Sequence, residues 1–423
     1  MTSTDGDATM RDVLATDAGT DTFHEGFDPK NPVRFNRASF GWANSMFATW
    51  VQNSYVPTGK VQTDSHQKSY EKDEPSAFHK KDELALQKEE HPKLSTLYTP
   101  PKHYSSNMNT LQTRAKDEIA KETDRIRKQL IAKYGHSTEI NGGKLATLWS
   151  NTFPFTAMNS WKLFEPDGTT FVNTGDIPQM WLRDSSVQMM TYLPLVQDQS
   201  ENSALRQVFE SVLVRQTRFI QSDRYASAFY LTHGPGKDQG PNKDECPRDP
   251  DICPTCFCRS CSPKCGPHSY QHDFELDSLG FPLWLQYKYW KMTGATNHLS
   301  TEFFDMWEHQ VLPLLKDEQH HNTRSTYYYK PEKGKVRDGV GLVWSFARPS
   351  DDQTKFGYSI PENMMLVVIL EQFAEIVDEV FDPSLGKGHL AEEARALARE
   401  VDAAIQKYGV VKHEGVMVYA NEV

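Results

Sequence analysis

Residues 173–186 read Asn-Thr-Gly-Asp-Ile-Pro-Gln-Met-Trp-Leu-Arg-Asp-Ser-Ser. The stretch packs Asp176, Trp181, Arg183 and Asp184 between a strand or turn and a predicted helix. Two readings fit it. One is a tight turn whose Arg–Asp pair caps a helix. The other is a sugar clamp, in which carboxylates and a guanidinium bind hydroxyls and an indole stacks on a ring face. Ser185 followed by Gln188 has the form of a capping box, which places Arg183 and Asp184 at a helix mouth where backbone N–H groups point outward.

Working outward, helical spacing dominates. Ile119, Ile126, Leu130 and Tyr134 predict a helix that resumes near Ala115 and stops at Gly135. The segment Leu145–Thr156 leads through the turn signal Asp167-Gly168 into the opening stretch. Further helices are predicted over Ser203–Ser222, Ser278–Thr293, Thr301–Leu315, Glu362–Val380 and Leu390–Tyr408. In the last, Leu390, Ala394, Leu397, Val401 and Ile405 share one face. The run Met364–Leu370 is almost wholly apolar, which predicts burial on several sides. Strand signals are few and short, so the expected class is all-α with helices in antiparallel succession.

Composition bounds the function. The chain has 423 residues and a formal net charge of −11. That charge argues against a nucleic-acid partner, whose affinity would come from neutralising phosphates. No apolar run is long enough to span a bilayer, and the polar, acidic first residues do not form a signal peptide. Nothing here fixes a compartment or an oligomeric state.

Near the N-terminus, Phe23-His24-Glu25-Gly26-Phe27 precedes a helix predicted to begin near Arg37, with Phe40, Ala43, Phe47 and Trp50 as its apolar stripe. Alone, Glu25 reads equally as a solvated loop carboxylate. From Ser54 to about Asn109 charge runs and prolines interrupt any regular element, as in a linker or surface excursion. All six cysteines fall between Cys246 and Cys265. Their two C-x-x-C pairs are separated by one residue, too little to wrap a zinc ion in the usual way. The segment 234–269 therefore reads as an insertion between helices, irregular, disulfide-stapled or metal-binding, rather than as the reactive centre.

Two more motifs carry carboxylates. Phe274-Glu-Leu-Asp-Ser-Leu279 sets Glu275 and Asp277 just before a helix, and Trp344–Asp352 groups Arg348, Asp351 and Asp352. Adjacent buried aspartates would repel, raising one carboxyl toward an acid's working range; a solvated turn is the alternative. Paired carboxylates with aromatic and arginine companions at helix mouths are what glycosidic hydrolysis requires.

The strings TGDIPQMWLRDS, FELDSL, RPSDD with FGYSIPENM, and FHEGF with RASFGWANSMF resemble motifs of glycoside hydrolase family 125. The resemblance implies an exo-acting, inverting, metal-independent α-1,6-mannosidase on an (α/α)6 barrel, with no cofactor and a mannose-containing glycan as its partner. It implies a general acid in the Asp351-Asp352 pair, with a slight lean to Asp351, and Glu25 as the base. Asp176, Trp181, Arg183, Asp184, Glu275, Asp277 and Arg348 would line the sugar pocket, with His24 and Tyr358 as further candidates.

The motif order departs from the family's. Residues 1–53 resemble its C-terminal end, 54–112 read as a polar linker, and 113–423 resemble its beginning and centre. One C-terminal block has no counterpart. Circular permutation and a fragment spanning two tandem copies both explain this order, and the missing block favours the fragment. About eight helical patterns are found by periodicity, against about twelve in six helical hairpins. A catalytically incomplete barrel that at most binds mannosides is therefore the competing expectation. A glucoamylase- or epimerase-like enzyme would share the fold but not these strings.

Overall fold

In the computed structural model the residues described are 9–10, 13–14, 20–23, 26–28, 31–36, 40–55, 105–137, 140–164, 166–197, 199–231, 268–331, 336–380 and 388–423. His24, Glu25, residues 56–104 and all six cysteines lie outside them. The chain runs through a hairpin of β1 (Gly26–Asp28) and β2 (Asn31–Asn36) into α1 (Gly41–Ser54), then α2 (Ser105–Tyr134) and α3 (Gly142–Thr152). A second hairpin, β3 (Trp161–Phe164) with β4 (Thr169–Val172), precedes β5 (Met180–Trp181), α4 (Leu182–Met190), α5 (Leu193–Val196) and α6 (Ala204–Ser222). After β6 (Ala228–Phe229) and β7 (Ser269–Gln271) come α7 (Leu276–Thr293), α8 (Thr301–Met306), a π-helical turn (Trp307–Val311) and α9 (Leu312–Glu318). Helices α10 (Ile360–Val380) and α11 (His389–Ala404) follow, and a hairpin of β8 (Val410–His413) and β9 (Val416–Tyr419) ends the chain. Among the described residues the strands form two- and three-stranded antiparallel patches. The expected all-α class holds.

Four helices pack in the spatial order α1, α4, α7, α10, each against the next. Around them α3 packs on α1 and α2, α6 on α2 and α7, and α11 on α10. The N-terminal helix α1 thus sits within the same helical array as the rest, against a helix more than a hundred residues later in the chain. Polar contacts tie it there: Thr191 Oγ1 donates to Ser45 O at 3.0 Å, and Gly41 N donates to Thr174 O at 2.9 Å.

Several local expectations shift. Helix α1 begins at Gly41 rather than near Arg37, and it turns Asn44, Phe47, Ala48 and Val51 inward. Its buried face is therefore rotated by about one residue from the predicted stripe, because Asn44 is drawn in to bond the backbone of Phe23 (3.0 and 3.1 Å). Tyr55 packs on Trp50 and on Tyr134, so the chain stays in the core past residue 54. Helix α2 starts at Ser105, inside the stretch read as linker. Met108 and Leu111 extend the buried stripe of Ala115, Ile119, Ile126 and Leu130, a signal hidden by the polar residues between them. The capping box is not formed. Trp181 is the N-cap of α4, so Ser185 lies within the helix and bonds Leu182 O, while Gln188 reaches back to Asn173 O. The apolar run of α10 keeps one side in solvent, with Val368 52% exposed. By contrast, the stripe Leu390, Ala394, Leu397, Val401, Ile405 is fully buried as expected.

Gly357 illustrates how tightly the loop before α10 is seated. It has φ +95°, and a Cβ there would lie 2.6 Å from the Trp344 indole. Its carbonyl accepts from Ser345 N at 2.9 Å. Gly357→Ala combines a disfavoured backbone conformation with overpacking. It is expected to destabilise the protein by about 2–4 kcal/mol, read as a lower denaturant midpoint at unchanged m-value.

Candidate active site

The four packed helices begin at the same place. Trp42 is the second residue of α1, Arg183 of α4 and Asp277 of α7, and Glu362 is the third of α10. Contacts between these positions show that the mouths meet. Arg183 lies 5.7 Å from the Trp42 ring and is bonded to Glu275 and Asp277, and Asp277 N is bonded to Glu362.

Above this junction is a cleft of about 300 Å³, large enough for a sugar ring. Phe40, Trp42 and Met46 line one side, and Pro349, Ser350 and Asp351 another. Trp181, Arg183 and Asp184 also line it. The wall at Thr174 and Ile177 belongs to the quoted stretch, whose turn is pinned to the start of α1 by the Gly41–Thr174 bond and by a bridge between Phe40 and Gly175. Tyr270 packs edge-on against Trp181 at 5.7 Å.

Arg183 organises the charge. It is only 3% exposed. Its Nη1 donates to Glu275 Oε2 at 2.7 Å and to Asp277 Oδ2 at 3.2 Å, its Nη2 to Asp351 Oδ1 at 2.8 Å, and its Nε lies 3.6 Å from Asp184 Oδ2. Four carboxylates thus surround one guanidinium. Helix N-termini favour negative charge by about 1 kcal/mol each, but desolvating a carboxylate costs several kcal/mol, so burial prevails. It raises Glu275 and Asp277, with neighbouring carboxylates adding to the rise and Arg183 opposing it. It pushes Asp184 up to about 6. Asp273, just upstream and also buried, is likewise pushed up to about 6.

The Asp351-Asp352 pair divides in two directions. A tight turn, Asp351 N to Arg348 O and Arg348 N to Asp352 O (both 2.9 Å), holds Asp351 at φ +62°, which aspartate tolerates better than most residues. The turn is fastened to the start of α7 through Phe346 N and Ala347 N, which donate to Phe274 O at 2.8 and 3.1 Å. Asp351 therefore faces the cleft and Arg183. Asp352 instead pairs with Ser350 and Arg348, and these hydrogen bonds hold its carboxyl below the usual range. The expected mutual repulsion of a buried pair does not occur, since the two side chains are 49% and 55% exposed.

Of the residues expected at a sugar site, the fold brings together Trp181, Arg183, Asp184, Glu275, Asp277 and Asp351. Glu275 and Asp277 lie beneath Arg183 rather than in the cleft lining. Arg348 is turned to Asp352 and to Glu422 (2.8 Å), where it buttresses the Asp351 turn instead of meeting the cleft. Asp176 is exposed at the turn and Tyr358 is buried, its hydroxyl donating to Arg337 O; neither lines the cleft. His24 and Glu25 fall outside the described residues. Phe23, two positions before Glu25, is anchored at both its N–H and carbonyl by Asn44, in the first turn of α1 beside Trp42. Sequence reasoning missed Glu362; its signal was an acid at the start of an apolar helix, the same relation that Asp277 has to α7. Among the described residues, Asp305, Glu308 and His309 are the trio whose ligand atoms come within 4.8 Å of one another, and none of them lines the cleft. No helix among the described residues is long and apolar enough to cross a membrane.

Comparison with known proteins gives three findings. A family model described as metal-independent alpha-mannosidase (GH125) matches residues 1–52 and 142–423, thus omitting the polar stretch and α2. The Meiotically up-regulated gene 157 protein of Schizosaccharomyces pombe is 28% identical over 316 residues, which cover 67% of this chain and 57% of that protein. The chain therefore spans less than two thirds of that relative's length. A solved Streptococcus pneumoniae structure, of a metal-independent α-mannosidase in a non-productive substrate complex with α-1,6-mannobiose, is 28% identical with a TM-score of 0.54. The match covers 72% of this chain and 67% of that one. The shared fold agrees with the expected α/α barrel.

Proposed function

As the chain belongs to the metal-independent α-mannosidase family GH125, we propose that it is a glycosidase releasing non-reducing-end, α-1,6-linked mannose with inversion. The observation that carries this reading is the division of the aspartate pair. One carboxyl, Asp351, lines a cleft together with an indole and a guanidinium, while its neighbour is held ionised outside it. Asp351 would protonate the leaving oxygen and Glu25 would activate water from the opposite face. For inversion the two carboxyls stand roughly 6.5–9.5 Å apart. Arg183, fixed by its carboxylates, and Asp184 would hold the sugar's hydroxyls, and Trp42 and Trp181 would pack on its apolar faces. The anchoring of Phe23 on α1 supports a cleft whose base is supplied by the N-terminal segment of the same chain.

A barrel fragment that binds mannosides without turnover is the second reading. It is favoured by the apolar surface left open on the final hairpin, where Val416, Met417 and Tyr419 are each more than half exposed. Incubating the protein with α-1,6-mannobiose and following the anomers by proton NMR separates the two. Hydrolysis with initial release of β-mannose is the expected result. Initial α-mannose would refute inversion, and calorimetric binding without hydrolysis would establish the fragment reading.

A further inference from the structure

Glu362 belongs to none of the roles above, yet it occupies the fourth helix mouth beneath the cleft. Its Oε1 accepts from Asp277 N at 3.3 Å, an amide in the first turn of α7 that has no carbonyl of its own helix to bond. Its Oε2 is buried without a hydrogen-bond partner among the described residues. Asp277, so held, bonds Arg183, and Arg183 in turn meets the cleft. We propose that Glu362 is a positioning residue of this site, holding the first turn of α7 and through it the carboxylates that aim Arg183 at the sugar. The inference rests on the hydrolase reading for the reaction it serves.

The surroundings of Glu362 decide the form in which it acts. The charged groups that face it are Asp277 on α7 and Arg183 on α4, with the Ser359 hydroxyl at the start of its own helix. Towards α7, α9 and the π-helical turn it borders a small apolar cavity lined by residues such as Leu276, Leu279, Val311 and Leu315. An ionised Glu362 would add a further buried negative charge to a guanidinium already shared by four carboxylates. Burial, and after it the charge of Asp277, push its carboxyl up to about 8. This rise favours the neutral form of Glu362 at neutral pH, which still accepts the Asp277 N–H bond through Oε1. Above that pH it ionises against Asp277.

Three forms of the full chain test this: wild type, Glu362→Gln and Glu362→Leu. Glutamine keeps the shape and the acceptor for Asp277 N but cannot ionise, whereas leucine removes the acceptor. The first readout is the thermal midpoint as a function of pH. The folded-state value, about 8, lies above the ordinary 4.5, so between the two the folded protein holds the extra proton. Wild-type stability should then fall relative to Glu362→Gln as pH rises through this window, and level off above it. Parallel curves for wild type and Glu362→Gln would overturn the proposal. The second readout is hydrolysis of α-1,6-mannobiose. Glu362→Gln is expected to keep kcat within about threefold of wild type at pH 6 and to lose the wild-type alkaline limb near pH 8. Glu362→Leu is expected to lose about 30-fold or more in kcat with KM changed much less. A leucine variant as active as the glutamine one would also overturn the proposal. If leucine prevents folding, the wild type and glutamine curves decide alone. Absence of turnover in every form, with the stability curves diverging as expected, would refute the hydrolase reading and leave the neutral Glu362 beneath the helix mouths standing.

Discussion

Asp351→Asn is expected to lower kcat for an α-1,6-mannoside by about a thousandfold, whereas Asp352→Asn is expected to lower it by less than about tenfold. The sequence presents the two residues as equivalent neighbours; the turn makes them different. Asp351 N bonds back to Arg348 O, which places residue 351 in the left-handed region and swings its side chain over the cleft. Asp352 faces Ser350 and Arg348 and does not line the cleft, so a proton on it is not aimed at the sugar. Its loss should act only through the buttress that Arg348 and Glu422 give the turn. A substrate with a good leaving group discriminates further, because it needs little protonation. Asp351→Asn should recover most of its rate on an activated aryl mannoside, and Glu25→Gln should not. Equal effects of the two asparagine substitutions on the mannobiose rate would reject the assignment.

Arg183→Met should damage both activity and stability. Methionine fills the volume but leaves Glu275 and Asp277 buried with no cation, and breaking a buried ion cluster in this way costs about 3–5 kcal/mol. Activity on mannobiose should fall by at least about a hundredfold, since the guanidinium that orients Asp351 and meets the cleft is gone. The stability loss carries a pH signature. Without Arg183 the buried carboxyls are raised further above their unfolded values. The folded variant then binds more protons than its unfolded chain, and its stability falls as pH rises. The deficit relative to wild type should accordingly be smaller at pH 5 than at pH 8, measured by urea unfolding at the two pH values. Arg183→Lys keeps a charge but not the fork that reaches Glu275, Asp277 and Asp351 at once. It should restore much of the stability and little of the activity. A lysine variant with near wild-type turnover would show that charge alone, and not the guanidinium geometry, is what the site uses.

Much of this protein was legible in its residues because the signals are local. The 3.6-residue recurrence of Leu390 through Ile405 needs only helical geometry to be read, and the observed face matches it. The placement of Arg183, Asp184, Glu275 and Asp277 at helix starts was legible too. The errors arose where a distant partner decided the outcome. Asn44 turned α1 by bonding Phe23, and Gln188 left its supposed cap to bond Asn173.

The sequence by itself determined a helical family fold and the short charged motifs at its helix starts, because periodicity and short motifs are written within a few residues of one another. Tertiary structure alone decided that α1 packs on α4, so that Trp42 meets Arg183 across more than a hundred residues. It decided that Asp351 and Asp352 part company and that Glu362 joins the cluster. Those outcomes depend on desolvation and on the directions of hydrogen bonds between segments far apart in the chain. Neither quantity exists until the helix mouths are brought together.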